Sequence, residues 1–145
     1  MPESRSEQAL RALFATLAAH LPGVAVVRNE AVPLEIPAGG LLILRDGEPG
    51  EPEFLHSPAT WAYEHRAEAE VYVDLATAEL RDARFDAIKL AVGAALAQDR
   101  TLGGAVDHVL GESPAPVELS AEGIPGVKAG VIPILLAYDA PDPLA

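Results

Sequence analysis

The stretch YEHRAEAEVYVD, residues 63–74, decides how this chain is read. A histidine stands between Glu64 and Arg66, with Glu68 and Glu70 just beyond, which resembles an acid–base or metal cluster. In a strand, however, successive side chains point to opposite faces. Trp61, Tyr63, His65, Ala67, Ala69, Val71 and Val73 then share one side. Glu64, Arg66, Glu68 and Glu70 share the other, which Tyr72 and Asp74 complete. His65 is therefore expected on an apolar face, turned away from its acidic neighbours. Same-face neighbours in a strand lie roughly 6.5–7 Å apart, which suits a ladder with Arg66 between Glu64 and Glu68.

Working outward from this strand, the other elements follow from period and punctuation. Ser4 and Glu7 have capping-box spacing, so a helix is expected from about residue 4. Leu10, Leu13, Phe14, Leu17 and Leu21 form its apolar stripe, and Pro22-Gly23 stops it. VAVVRN (24–29) and LLILRD (41–46) read as strands separated by an irregular connection rich in proline and glycine. Residues 47–60 read as a long excursion before the strand at 61–74. Thr77 can cap a second helix reaching about residue 98, with Phe85, Ile88, Val92 and Leu96 inward and Asp82, Asp86 and Lys89 towards water. AVDHVL is a short strand, 111–126 a second excursion, VKAGVIPILLAY the last strand, and 139–145 a frayed tail. Strands grouped in runs favour a single α+β domain over 1–145. Its expected core is a mainly antiparallel sheet of four to five strands with both helices on one face, in the order α-β-β-β-α-β-β.

Composition narrows the function. The 145 residues carry a formal net charge of −12, which opposes nucleic-acid binding by counterion release and docking on an anionic membrane. There is no cysteine, hence no disulfide framework, thiolate metal site or cysteine nucleophile. The opening residues are charged and amphipathic without the apolar core of a signal peptide, and no apolar run has transmembrane length, so a cytoplasmic start is expected.

The remaining chemical candidates are weak. His20 ends the first helix, where a cation suits the dipole, and His56 and His108 stand far from it and from each other without ligand spacing. No His-Glu-x-x-His motif accompanies His65. Ser57 and Ser113 precede prolines, and no serine has the flanking glycines of a nucleophile elbow. Gly39-Gly40 and Gly103-Gly104 read as turns, without the residues of a phosphate loop or a dinucleotide fingerprint. No catalytic, cofactor-binding or metal residue is assigned, and no cofactor is expected.

Two features point to assembly instead. The last strand is apolar on both faces from Val131 onward, yet Pro133 cannot donate to a ladder and belongs on an edge or at a bulge. Its cover is either a neighbouring subunit, making Val131, Ile132, Pro133, Ile134, Leu136 and Tyr138 an oligomer interface, or a helix or loop of the same chain. The second feature is the pair of long excursions, since loops of this length in a small domain commonly carry contacts.

In this arrangement the chain resembles phage tail terminator or minor tail proteins, including those of prophages and gene transfer agents. The resemblance covers about residues 6–138. It is carried by AEVYVD, the helix opening AELRDARFDAI, its end ALAQDRTLGGAV, and a last strand closing on LLAYDAPDP. It implies a small subunit that forms a ring, typically a hexamer, on the head-proximal end of a tail, with tail-tube and head–tail connector proteins as partners. It implies a cytoplasmic protein before assembly, a particle component afterwards, and no catalytic residue. The proline in the last strand and the proline-rich first excursion depart from the family pattern. DNA passing through a tail lumen would be repelled by negative walls, so some of Glu48, Glu51, Glu53, Glu64, Glu68 and Glu70 are expected to face a channel or partner. Two alternatives stand beside this: a head-completion subunit of similar fold, or a small-molecule-binding or enzymatic domain with a pocket near Trp61, Tyr63 and His65.

Overall fold

The structure, a computed structural model, describes residues 2–116 and 126–145. Among them the fold is α+β: helices α1 (Arg5–His20) and α2 (Ala78–Gln98) and seven strands. The strands are β1 (Ala25–Arg28), β2 (Leu41–Glu48), β3 (Glu53–His56), β4 (Ala59–Asp74), β5 (His108–Gly111), β6 (Ala115–Pro116) and β7 (Val127–Ala140). The sheet runs β1-β2-β4-β7-β5, with β3 added to β4 and β6 to β7. Every pairing is antiparallel except β1 with β2. The residues between those two, 29–40, supply the dozen-residue crossover that a parallel pair needs.

Both helices begin as their caps dictate. The Ser4 hydroxyl accepts from the Glu7 amide at 3.2 Å, and the Thr77 hydroxyl from the Leu80 amide at 3.2 Å. Leu10, Leu13, Leu17 and Leu21 from the first helical stripe, and Phe85, Ile88, Val92 and Leu96 from α2, pack with Tyr63, Ala67, Ala69, Val71 and Val73 of β4 in one core. The helices therefore lie on one face of the sheet. Phe85 seats against β7 because Gly130 has no side chain there; a Cβ would come within 2.6 Å of the ring.

The opposite face is divided. At one end Leu41, Ile43 and Tyr72 form a smaller cluster with Val27, Ile36, Val127 and Ala129. Ile36 belongs to the crossover, so that connection folds back over the sheet instead of standing away from it. At the other end the face carries the charged residues of β4.

Three expectations need correction. Residues 47–60 are not irregular throughout: β3 and the start of β4 make a hairpin in which Phe54 pairs with Trp61 and His56 with Ala59. Asp139 and Ala140 are not frayed but pair with Ala62 and Trp61 at the end of β7. Nor is β7 an edge strand. It lies between β4 and the short strands β5 and β6, which cover its far side. Pro133 sits where that cover changes from β5, ending at Gly111 opposite Ile134, to β6, starting at Ala115 opposite Val131. Its carbonyl accepts from the Glu112 amide at 2.8 Å, so its missing N–H falls at the same break. Of the second expected excursion, 117–125 lie outside the described residues.

Candidate functional site

His65 is the buried polar residue of the core, 3 % exposed. Its Nε2 lies 2.6 Å from the Asp46 carbonyl and its Nδ1 2.8 Å from the Tyr138 hydroxyl. A carbonyl only accepts, so Nε2 carries the proton, and the tyrosine hydroxyl donates to Nδ1. Tyr138 in turn stacks on Tyr63 at 5.5 Å, and burial, followed by the neighbouring Tyr63, pushes its phenol up to about 12. Both ring nitrogens of His65 are thus engaged inside the protein, and neither is open to a substrate.

The Asp46 carbonyl reaches His65 because the β2–β4 register shifts by one residue between Arg45, opposite Glu68, and Glu48, opposite Arg66. Gly47 makes this bulge with φ +66°, a left-handed conformation that suits glycine. The same bulge aims the Asp46 carboxylate at Arg28, 2.9 Å away, and Arg28 grips Glu7 of α1 through two hydrogen bonds of 2.8 and 2.9 Å. One polar network therefore joins α1, β1, β2, β4 and β7.

This network predicts acid sensitivity. The hydrogen bonds from Arg28 hold Glu7 below the usual carboxylate range. Burial pushes Asp46 up, but hydrogen bonds from Arg28 and Asn29 more than offset it, leaving Asp46 low as well. Depressed carboxylates contribute stability above their unfolded values and lose it as pH falls through the folded ones. Arg28→Met is therefore expected to destabilise the protein at pH 7 by on the order of 1 kcal/mol, a modest figure because the two carboxylates are 41 and 44 % exposed. Near pH 3 the gap between variant and wild type is expected to narrow, as measured by urea titration at both values.

Of the residues expected to form an oligomer interface, all but Val131 are buried within this chain. Ile132, Ile134, Leu136 and Tyr138 point into the helix-covered core, fully or almost fully buried. Pro133 is also buried and Val131 half-buried, both on the other face. The same chain covers this strand, which was the competing expectation.

The acidic residues divide into three sets. Glu64 and Glu68 are exposed on the open face, and Glu48 meets Arg66 in register. Glu70 is tied down by Arg45 at 3.3 Å and by the Tyr72 hydroxyl at 3.0 Å. That contact and, above all, burial push the Tyr72 phenol up to about 12. Glu51, Glu53 and Glu64 converge with Asp107 and Asp139 around a groove of about 420 Å³ with no cation in its lining among the described residues. Asp107 and Asp139 were not singled out in the sequence. They arrive through the pairing of the C-terminal end of β7 with β4 on one side and with the start of β5 on the other, long-range contacts with no local signature.

Compared with known proteins, the chain matches no family model and no curated sequence. Its chemistry must be read from its own surface. Among the described residues no group of three or more His, Asp or Glu side chains is arranged to hold a metal ion, and no helix is long and apolar enough to cross a membrane.

The hairpin of β3 and β4 is the second feature of the surface. β7 occupies one edge of β4 from Trp61 to Asp74, so β3 lies on the opposite edge, the side of β2. Ala59 and Thr60 pair with β3 but not with β7, and the hairpin projects beyond the main sheet as an arm. Phe54 and Leu55 on this arm are 41 and 40 % exposed. Phe54 packs on Trp61 at 4.8 Å and meets the His56 ring edge-on at 4.8 Å. The aromatic and β-branched residues Phe54, Thr60 and Trp61 flanking the Ser57-Pro58 turn were a hairpin signal, hidden by the prolines around it.

Proposed function

We propose that the protein is a structural subunit of the tail terminator kind, forming a ring that ends tail-tube growth and joins tail to head. The observation that carries this reading is the division of the sheet into two unlike faces. One face is sealed by α1 and α2, while the other bears Glu64 and Glu68 and runs on to Asp107 and Asp139. A wall of that kind suits a passage for DNA, because fixed negative charge repels phosphate and keeps the polymer from sticking.

A second observation supports assembly over solitary action. Phe54, Leu55, Leu80, Leu90 and Leu110 are large apolar side chains left exposed on the arm, on α2 and on β5. His65, which an enzymatic reading would place in a pocket with Trp61 and Tyr63, is engaged by Asp46 and Tyr138. Tail-tube and connector proteins are the expected partners, and no cofactor enters the proposal.

Light scattering coupled to gel filtration tests it, followed by negative-stain imaging. Rings of about six subunits are expected at high protein concentration or on added tail tubes. A strict monomer under both conditions would contradict the proposal.

A further inference from the structure

We propose that the ring is closed by the β3–β4 arm of one copy docking in a cleft between α2 and β5 of the next. This inference rests on the ring reading and names the contact that would build it. The cleft is lined by Lys89, Val92, Leu96, Arg100, Leu110 and Ile132, among others, and has a volume of about 290 Å³. Its lining is mostly apolar, which suits an inserted apolar side chain.

Charge selects the occupant. Arg100 donates to the Val109 carbonyl at 3.2 Å and pairs with no carboxylate among the described residues. Lys89 has only Asp86, at 3.2 Å, in an exposed pair on its own helix. Glu112 on the cleft wall is already neutralised by Arg66. The cleft is thus a largely apolar slot in which Arg100 has no carboxylate partner among the described residues and Lys89 is paired at the rim, on a chain whose net charge is −12. The arm is its complement, with Phe54 and Leu55 exposed and Glu51 and Glu53 beside them. Opposite charges across such a contact steer encounter and fix register, while the apolar anchors supply affinity.

Topology excludes the subunit's own arm, so a docked arm comes from a second copy. The arm hangs from β4 on the side of β2, whereas the cleft lies at the β5 end of the sheet, so the two surfaces belong to different sides of one subunit. A contact between unlike patches is heterologous, and heterologous contacts propagate until a ring closes. An arm of this size buries less than the roughly 800 Å² per partner of a standard interface, so single contacts are expected to be weak and closure cooperative.

Complementary variants give the test. Phe54→Ala with Leu55→Asp damages the arm, and Lys89→Glu with Arg100→Glu damages the cleft. Each variant by itself is expected to associate about tenfold or more weakly than wild type in sedimentation velocity. Mixed together, the two are expected to form one-to-one heterodimers and nothing larger, because each brings one intact surface. Circular dichroism confirms that both are folded. As an independent measurement, the cysteine-free chain permits Leu55→Cys with Leu110→Cys, expected to give a covalent ladder of multimers on oxidation; either single cysteine is expected to stop at dimers. Wild-type rings that persist in both damaged variants, or a double-cysteine chain without a ladder, would overturn the arm-and-cleft contact and leave the ring standing. A wild type that never assembles would overturn both.

Discussion

Replacing His65 with alanine is expected to lower the free energy of unfolding by about 3 kcal/mol. Two costs combine. The removed ring leaves a cavity in a core that α1, α2 and the sheet already fill, and large-to-small changes at such sites cost roughly 2–5 kcal/mol. The Asp46 carbonyl and the Tyr138 hydroxyl are also left without the partner that satisfied them at 2.6 and 2.8 Å. Tyr138→Phe isolates part of this effect, since it keeps the ring stacked near Tyr63 and removes only the hydroxyl; it is expected to cost about 1–2 kcal/mol. Urea or thermal unfolding followed by circular dichroism measures both. If His65→Ala left stability within 0.5 kcal/mol or so of wild type, the role given to the buried imidazole as a structural tie would be wrong.

Gly47→Ala is expected to be at least as damaging, about 3 kcal/mol or more. Two faults coincide at this position. The backbone has φ +66°, where a side chain is strained, and a Cβ there would fall 1.9 Å from the Arg66 carbonyl oxygen. That oxygen belongs to the neighbouring strand and cannot rotate away, so β2 and β4 must separate or shift register. Either movement also withdraws the Asp46 carbonyl from His65 and the Asp46 carboxylate from Arg28. The variant is therefore expected to lose amide-exchange protection across 41–48 and 64–72, beyond its drop in the urea midpoint. Unchanged protection across these strands would refute the bulge as the keystone of the network.

The parts of the fold that depend on period and caps were legible in the sequence. Ser4 and Thr77 cap helices whose inward residues are those of the apolar stripes, and alternation in 63–74 correctly separated His65 from Glu64, Glu68 and Glu70. What the sequence hid were contacts between distant segments. The parallel pairing of β1 with β2 is decided by the crossover at 29–40, which packs Ile36 on the outer face. His65 and Tyr138 stand 73 residues apart and meet only because β4 pairs with β7 from Trp61 to Asp74. Pro133 correctly announced an interruption, but the interruption is in the neighbouring chain segment between β5 and β6, so β7 could be an inner strand after all. For the candidate site, the acids Glu51, Glu53 and Glu64 were recognisable as a set, whereas Asp107 and Asp139 required the sheet to bring them together.

In the proposed ring, the unsealed side of the sheet and the β3–β4 arm make the contacts, while the buried His65 ties β2, β4 and β7 together. The direct measurement is an electron-microscopic reconstruction of the assembled full chain, by itself or seated on a tail tube. A ring of about six subunits is expected, with α1 and α2 outward and Glu64, Glu68, Asp107 and Asp139 turned to the lumen. A ring with those carboxylates on its outer rim, or a protein that stays monomeric even in the presence of tail tubes, would contradict it.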